Sequence, residues 1–117
     1  MFKSGNVTVM VSDMKKAEQF YVETLGLKLL PESDGHFAQI EAPGVTIGLL
    51  HLDGEHGGDP VNSGSMSIGL EVEEMKSAIE TLKSRGVEFH HAVEGEAAKV
   101  VHFSDPDGNA LYLVCNR

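Results

Sequence analysis

Residues 11–17 read Val-Ser-Asp-Met-Lys-Lys-Ala, and residues 72–78 read Val-Glu-Glu-Met-Lys-Ser-Ala. At this offset of 61 residues, Val11 matches Val72, Met14 matches Met75, Lys15 matches Lys76 and Ala17 matches Ala78. Each stretch joins an alternating run to a helical one. Before the first, Val7, Val9 and Val11 alternate with Asn6, Thr8 and Met10, the period of a strand with two different faces. Before the second, Ser65 to Val72 alternates, with Ile68, Leu70 and Val72 on one face. After them, Ala17, Phe20, Tyr21 and Leu25 recur at helical spacing, as do Met75, Ala78, Ile79 and Leu82. Ser12 or Asp13 can cap the first helix. Glu73 and Glu74 place negative charge at the start of the second, where a helix favours it. Gly26 and Gly86 are the stops.

Three strands are expected after each helix. In the first half they are Leu27 to Leu30, His36 to Ala42 and Val45 to Leu52. Pro31, Ser33-Asp34-Gly35 and Pro43-Gly44 punctuate them. In the second half they are Val87 to His90, Lys99 to Ser104 and Ala110 to Cys115. Asp105-Pro106-Asp107-Gly108-Asn109 is a turn by composition. Each half therefore reads β-α-β-β-β, an internal repeat. The expected organisation is one domain over 1–117, with repeat one at 1–52 and repeat two at 65–117. Between them, 53–64 holds four Gly and one Pro and reads as a linker or a flap over a site.

The chain has 117 residues, of which 41% are hydrophobic and 23% charged. That suits a soluble globular protein able to bury roughly 65% of its unfolded surface. The net charge of −9 repels phosphate backbones, so nucleic acid and anionic membrane are poor partners. A single cysteine excludes an internal disulfide framework and a cysteine-cluster zinc site. No apolar run approaches the ~18 residues of a membrane helix. Met1 to Gly5 lacks the pattern of a signal peptide. A cytoplasmic location is the expectation.

Two stretches carry a resemblance. One is Asp13-x-x-x-Ala17-x-x-Phe20-Tyr21-x-x-x-Leu25-Gly26-Leu27, and the other is Asp105-Pro106-Asp107-Gly108-Asn109 before the last strand. Together with the repeat, they resemble the vicinal oxygen chelate superfamily. That group includes glyoxalase I, extradiol dioxygenases, fosfomycin-resistance enzymes and bleomycin-binding proteins. The resemblance implies an α+β fold of two βαβββ repeats forming cupped mixed sheets. It also implies a homodimer, in some members with halves swapped between chains.

Metal enzymes of the superfamily place ligands at matching points of four strands. By resemblance, those positions here are Asn6, a site near Gly48, Ser67 and Tyr112. None is a usual ligand. A neutral amide, a missing side chain, a hydroxyl and a phenol cannot replace imidazole and carboxylate around a divalent transition metal. The expectation is therefore no metal and no cofactor. The other histidines do not rebuild a site. His51 and His56 flank the central loop at the wrong step for one strand face. His90 and His91 are adjacent and point to opposite faces of an extended strand. His36 starts a strand beside a turn.

Strand parity divides the remaining candidates. Val7, Val9, Val11, Ile68, Leu70, Val72, Leu111, Leu113 and Cys115 form the face expected under the helices. Cys115 reads as core and so as a poor nucleophile. Tyr21 is expected in the core with its hydroxyl at the edge. The opposite face carries small and polar residues that leave room for a ligand. The expected ligand contacts are Asn6, Thr8, Met10, Leu50, Ser67, Glu71, His102 and Tyr112. His102 and Thr8 match pocket-lining positions of fosfomycin-resistance relatives. A neutral imidazole can exchange a proton near neutral pH. His102 and Glu71 are thus the candidate general bases.

The leading expectation is a metal-free small-molecule binding protein, similar to the bleomycin-binding branch, sequestering a ligand in the cupped cavity. The acidic charge suits a cationic ligand. Three alternatives stay open. One is a glyoxalase- or dioxygenase-like metalloenzyme with displaced ligands. Another is a metal-free lyase or isomerase using His102 or Glu71. The last is an interaction module whose concave face holds a protein.

Overall fold

The structure, a computed structural model, describes residues 1–31, 35–51, 66–95 and 98–116. Eight strands and two α-helices follow the repeated order. They are β1 (Asn6–Val11), α1 (Met14–Glu18), β2 (Lys28–Leu29), β3 (Phe37–Ala42), β4 (Val45–His51), β5 (Ile68–Glu71), α2 (Met75–Ser84), β6 (Phe89–Glu94), β7 (Ala98–Ser104) and β8 (Ala110–Asn116). They form two mixed four-stranded sheets, ordered β1-β4-β3-β2 and β5-β8-β7-β6. The same topology in both halves makes this an α+β fold of two βαβββ repeats. The chain divides into two compact units, Met1–Asn62 and Ser63–Arg117. The segment 53–64 lies outside the described residues.

In the first unit, β1 runs parallel to β4, and β3 is antiparallel to both β4 and β2. Asp13 caps α1, its Oδ1 accepting from the Lys16 N–H at 3.1 Å. The helix does not continue regularly to Gly26. From Gln19 to Thr24 it is a π-helix, closed by the Leu25 N–H donating to the Phe20 carbonyl at 2.9 Å. Gly26 then takes φ +77°, a left-handed conformation that suits glycine at a helix end. α1 lies against β4. The core there holds Val11, Ala17, Tyr21, Ala38, Ile40, Ile47 and Leu49, all fully buried. Tyr21 is wholly enclosed, ring to hydroxyl, which corrects the expectation of an edge hydroxyl. The expected strand from Leu27 to Leu30 shrinks to Lys28–Leu29, with the Leu30 N–H still donating to the Gln39 carbonyl at 2.9 Å before Pro31.

In the second unit, β5 runs parallel to β8, with β7 antiparallel to β8 and β6. Glu74 caps α2, its carboxylate accepting from the N–H groups of Lys76 at 2.6 Å and Ser77 at 3.2 Å. α2 packs on β8, and Met75, Leu82, Val101, Phe103, Leu111 and Leu113 are buried. Cys115 shares the parity of Leu111 and Leu113 but is only half-buried. Its thiol donates to the Glu73 carbonyl at 3.4 Å, a strand-end position rather than the core position expected.

The turn into β8 is built on Asp105, which is 5% exposed. Its Oδ1 accepts from the N–H groups of Asp107 (2.9 Å) and Asn109 (2.8 Å), and its Oδ2 from the Asn109 side-chain amide (2.8 Å). One carboxylate thus replaces the ladder that a five-residue turn interrupts.

The expected strand Val87–His90 is displaced to Phe89–Glu94. A register shift lies between Phe89 and His91. Phe89 pairs with Phe103, but His91, not His90, pairs with His102. This is a β-bulge, one extra residue in β6.

Candidate functional site

Each sheet has a face away from its helix, set by the period-two alternation of its strands. In the first unit, that face carries Asn6, Thr8 and Met10 from β1. β4 adds Thr46, Gly48 and Leu50, and β3 adds Phe37, Gln39 and Glu41. Asn6 and Thr8 are exposed, whereas Met10 and Leu50 are half-buried. The ladder aligns them in cross-strand rows, Thr8–Gly48–Gln39 and Met10–Leu50–Phe37. Gly48 is needed in its row. A Cβ there would stand 2.8 Å from Thr8 Oγ1 and 3.2 Å from Phe37 Cε2. The space that a side chain would occupy belongs to its two neighbours. Phe37 was not among the residues expected at the site, although the alternation Phe37, Gln39, Glu41 against Ala38, Ile40, Ala42 marks it.

In the second unit, the open face carries exposed Ser67, Gly69 and Glu71 and half-buried Tyr112 and His102. One row crosses all four strands: Gly69, Tyr112, His102, His91. The Tyr112 ring lies across Gly69, so closely that any Cβ on Gly69 would collide with it. The Tyr112 and His102 ring centroids are 5.8 Å apart, and those of His102 and His91 are 5.9 Å apart. Three aromatic rings thus line up across the sheet, that of Tyr112 seated on Gly69. Glu71 pairs with Val114, and β8 lies between it and His102. The two candidate bases share a face but not a hydrogen bond.

The bulge corrects the expectation for His90 and His91. His91 meets His102, while His90 Nε2 lies 3.2 Å from Ser104 Oγ. His102 and Ser104 are two apart on β7 and share a face, so both imidazoles reach the same side. His51 turns elsewhere, its Nε2 3.1 Å from the Ser12 carbonyl, with the His36 ring 6.4 Å from its own. His56 lies outside the described residues. Among the described residues, no group of three or more His, Cys, Asp or Glu could hold a metal ion.

Two mixed four-stranded sheets, each with a helix on one face, define a duplicated α+β scaffold. Residues 3–113 match the Glyoxalase/Bleomycin resistance protein/Dioxygenase superfamily, and the chain belongs to that superfamily. No curated protein matches the chain significantly. Among solved structures, it is similar to TnmS3, an antibiotic binding protein from Streptomyces sp. CB03234. The identity is 28%, the TM-score 0.77, and the match covers 100% of this chain and 98% of that one. A superfamily member from Sphaerobacter thermophilus DSM 20745 shares 28% identity at a TM-score of 0.74, covering 99% and 98% of the two chains. One from Nocardioides shares the fold at 23% identity and a TM-score of 0.75, covering 99% and 84%.

The metal positions of the superfamily do not fit a metal here. Gly48 has no donor, and its Cβ space is filled by Thr8 and Phe37. Tyr112 places a neutral phenol over Gly69 where a carboxylate would be required. Asn6 and Ser67 are exposed neutral donors.

Proposed function

We propose that the protein is a metal-free small-molecule binding protein that sequesters its ligand against the open sheet faces. The observation that carries this reading is the floor of those faces. On the first unit Gly48 yields its side-chain space to Thr8 and Phe37, on the second Gly69 seats the Tyr112 ring beside His102, and the four strand positions carry no usual metal donor. The contacts we assign are Asn6, Thr8, Met10 and Leu50 on the first unit and Ser67, Glu71, His102 and Tyr112 on the second. The likeness to a protein called an antibiotic binding protein supports ligand capture. The net charge of −9 favours a cationic ligand. The two repeats act as one domain, and the chain works as a cytoplasmic homodimer, a state that light scattering tests.

The test has two parts. Elemental analysis of tag-free, dialysed protein is expected to give less than about a tenth of a metal per chain, as the donor set requires. A thermal-shift screen of cationic antibiotics and small aromatic compounds should then find a stabilising ligand recovered unchanged after release. A ligand at a hundred times its Kd adds about 2.7 kcal/mol. A tightly held metal lost on mutating His102 or His51, or turnover of the ligand, would overturn the reading.

A further inference from the structure

We propose that His91 and His102 form a two-imidazole site for one divalent transition-metal cation on the open face of the second unit. The site is distinct from the four strand positions discussed above; it shares His102 with the proposed ligand contacts, and its cation is held weakly enough to be lost on dialysis. It takes a borderline cation such as Cu²⁺ or Zn²⁺, for which imidazole is a suitable donor. Water completes the coordination sphere.

Geometry supplies the first argument. His91 and His102 are direct cross-strand partners in an antiparallel pair. Such residues have Cβ atoms only about 4.5–5.5 Å apart. Their ring centroids are 5.9 Å apart with planes inclined by 36°. Two imidazoles binding one ion at metal–nitrogen distances of about 2.0–2.1 Å place their centroids about 5.2 Å apart at a tetrahedral angle. Side-chain rotation must close that gap and turn one nitrogen of each ring toward the ion. His91 is exposed and His102 half-buried, so the ion has access and one imidazole is held by packing.

Availability of the nitrogens is the second argument. Beyond the backbone ladder, the imidazoles of His91 and His102 make no side-chain hydrogen bond to another described residue; their partners are rings, each other and Tyr112. The other described histidines are committed. His51 Nε2 is engaged with the Ser12 carbonyl, and His90 Nε2 with Ser104. His36 also has partners.

The bulge is the third. Regular pairing beyond Phe89–Phe103 would set His90 opposite His102. The extra residue brings His91 there instead and leaves His90 with Ser104. The acidic chain as a whole attracts cations. Two protein ligands give weaker binding than the four of a structural zinc site. The expected affinity is micromolar, a site that dialysis empties.

The full-length, tag-free protein is titrated calorimetrically with copper(II) and separately with zinc(II) near neutral pH. One cation per chain is expected, with micromolar affinity. His91→Ala and His102→Gln should each weaken it at least tenfold, and His51→Ala should leave it unchanged. Copper should broaden the imidazole NMR signals of His91 and His102 before those of His36 or His51. His91 is exposed on an outer strand, so its variant folds, and circular dichroism checks His102→Gln. Absence of saturable binding at millimolar metal would overturn the proposal. So would binding that survives both variants, or binding lost only with His51→Ala. A failed ligand screen would leave this site standing, and failed metal binding would leave the ligand reading standing.

Discussion

The ring of Tyr112 lies directly over the Cα of Gly69, its ladder partner on the neighbouring strand. The glycine is therefore a seat for the ring. Gly69→Ala should displace Tyr112 without unfolding the sheet, because the clash is with the far end of a mobile side chain. A side chain driven off its rotamer costs about 0.5–1.5 kcal/mol. If Tyr112 is a ligand contact as proposed, affinity for the ligand should fall at least tenfold, a loss that Tyr112→Ala reproduces. Calorimetry on both variants checks this. Unchanged affinity in both would remove Tyr112 from the site.

The first unit has the mirror arrangement, with Gly48 on β4 yielding space to Thr8 on β1 and Phe37 on β3. Gly48→Ala is expected to destabilise by about 1–3 kcal/mol through overpacking. Adding Thr8→Ala removes the nearest atom, so the double variant should recover part of the loss. Urea unfolding of the two singles and the double measures the coupling. Strict additivity would mean that Thr8 is not the obstacle.

Asp105 holds its turn with three accepted hydrogen bonds while nearly buried. Asp105→Ala strands two backbone N–H groups and should cost roughly 2–4 kcal/mol. Asp105→Asn keeps an oxygen for those N–H groups and loses only the partner of the Asn109 amide. It should cost about 1 kcal/mol. Equal losses in denaturant melts would show that the charge, rather than the backbone pairing, matters.

Much of this fold was legible in the chain. The alternation of Val7, Val9 and Val11 marks the buried side of β1, and Asp13 and Gly26 bracket the first helix. The repeat at Val72–Ala78 gives the second half. What was hidden depends on register. Nothing in Phe89-His90-His91 announces a bulge, since strict alternation sends the two histidines to opposite faces. Only the fit of Phe89 against Phe103, with ring centroids 5.5 Å apart, fixes the frame that the extra residue must leave. The π-helix from Gln19 to Thr24 is silent for a similar reason. Apolar positions at Phe20, Tyr21 and Leu25 suit either winding. The site shows the same division. The glycines at positions 48 and 69 are written in the sequence, whereas the row joining Tyr112, His102 and His91 needed the pairing.

The Glu74 cap gives a pH dependence. The backbone N–H of Lys76 is the main cause that holds its carboxylate below its ordinary value of 4.5; partial desolvation opposes it, and the Ser77 N–H and hydroxyl and the Lys76 charge add smaller lowering effects. A carboxyl lowered on folding contributes stability above its unfolded value. It loses that contribution as pH falls through the folded one. The thermal stability of the parent should therefore decline from about pH 4.5 downward more steeply than that of Glu74→Gln. Parallel melting curves across this range would show that the cap does not depend on ionisation.

The bulge in β6 also bears on how the protein behaves in a crowded solution. β6 is the outer strand of its sheet, and every residue from His90 to Glu94 is exposed, Val93 among them at 47%. A straight strand so exposed would offer its free N–H and C=O groups as a template for another chain. The extra residue at His90 breaks the spacing of those groups and increases the local twist, so an incoming strand finds no continuous register to copy. The irregularity that gathers the histidines is also a guard against runaway sheet growth, and it keeps this sheet four strands wide.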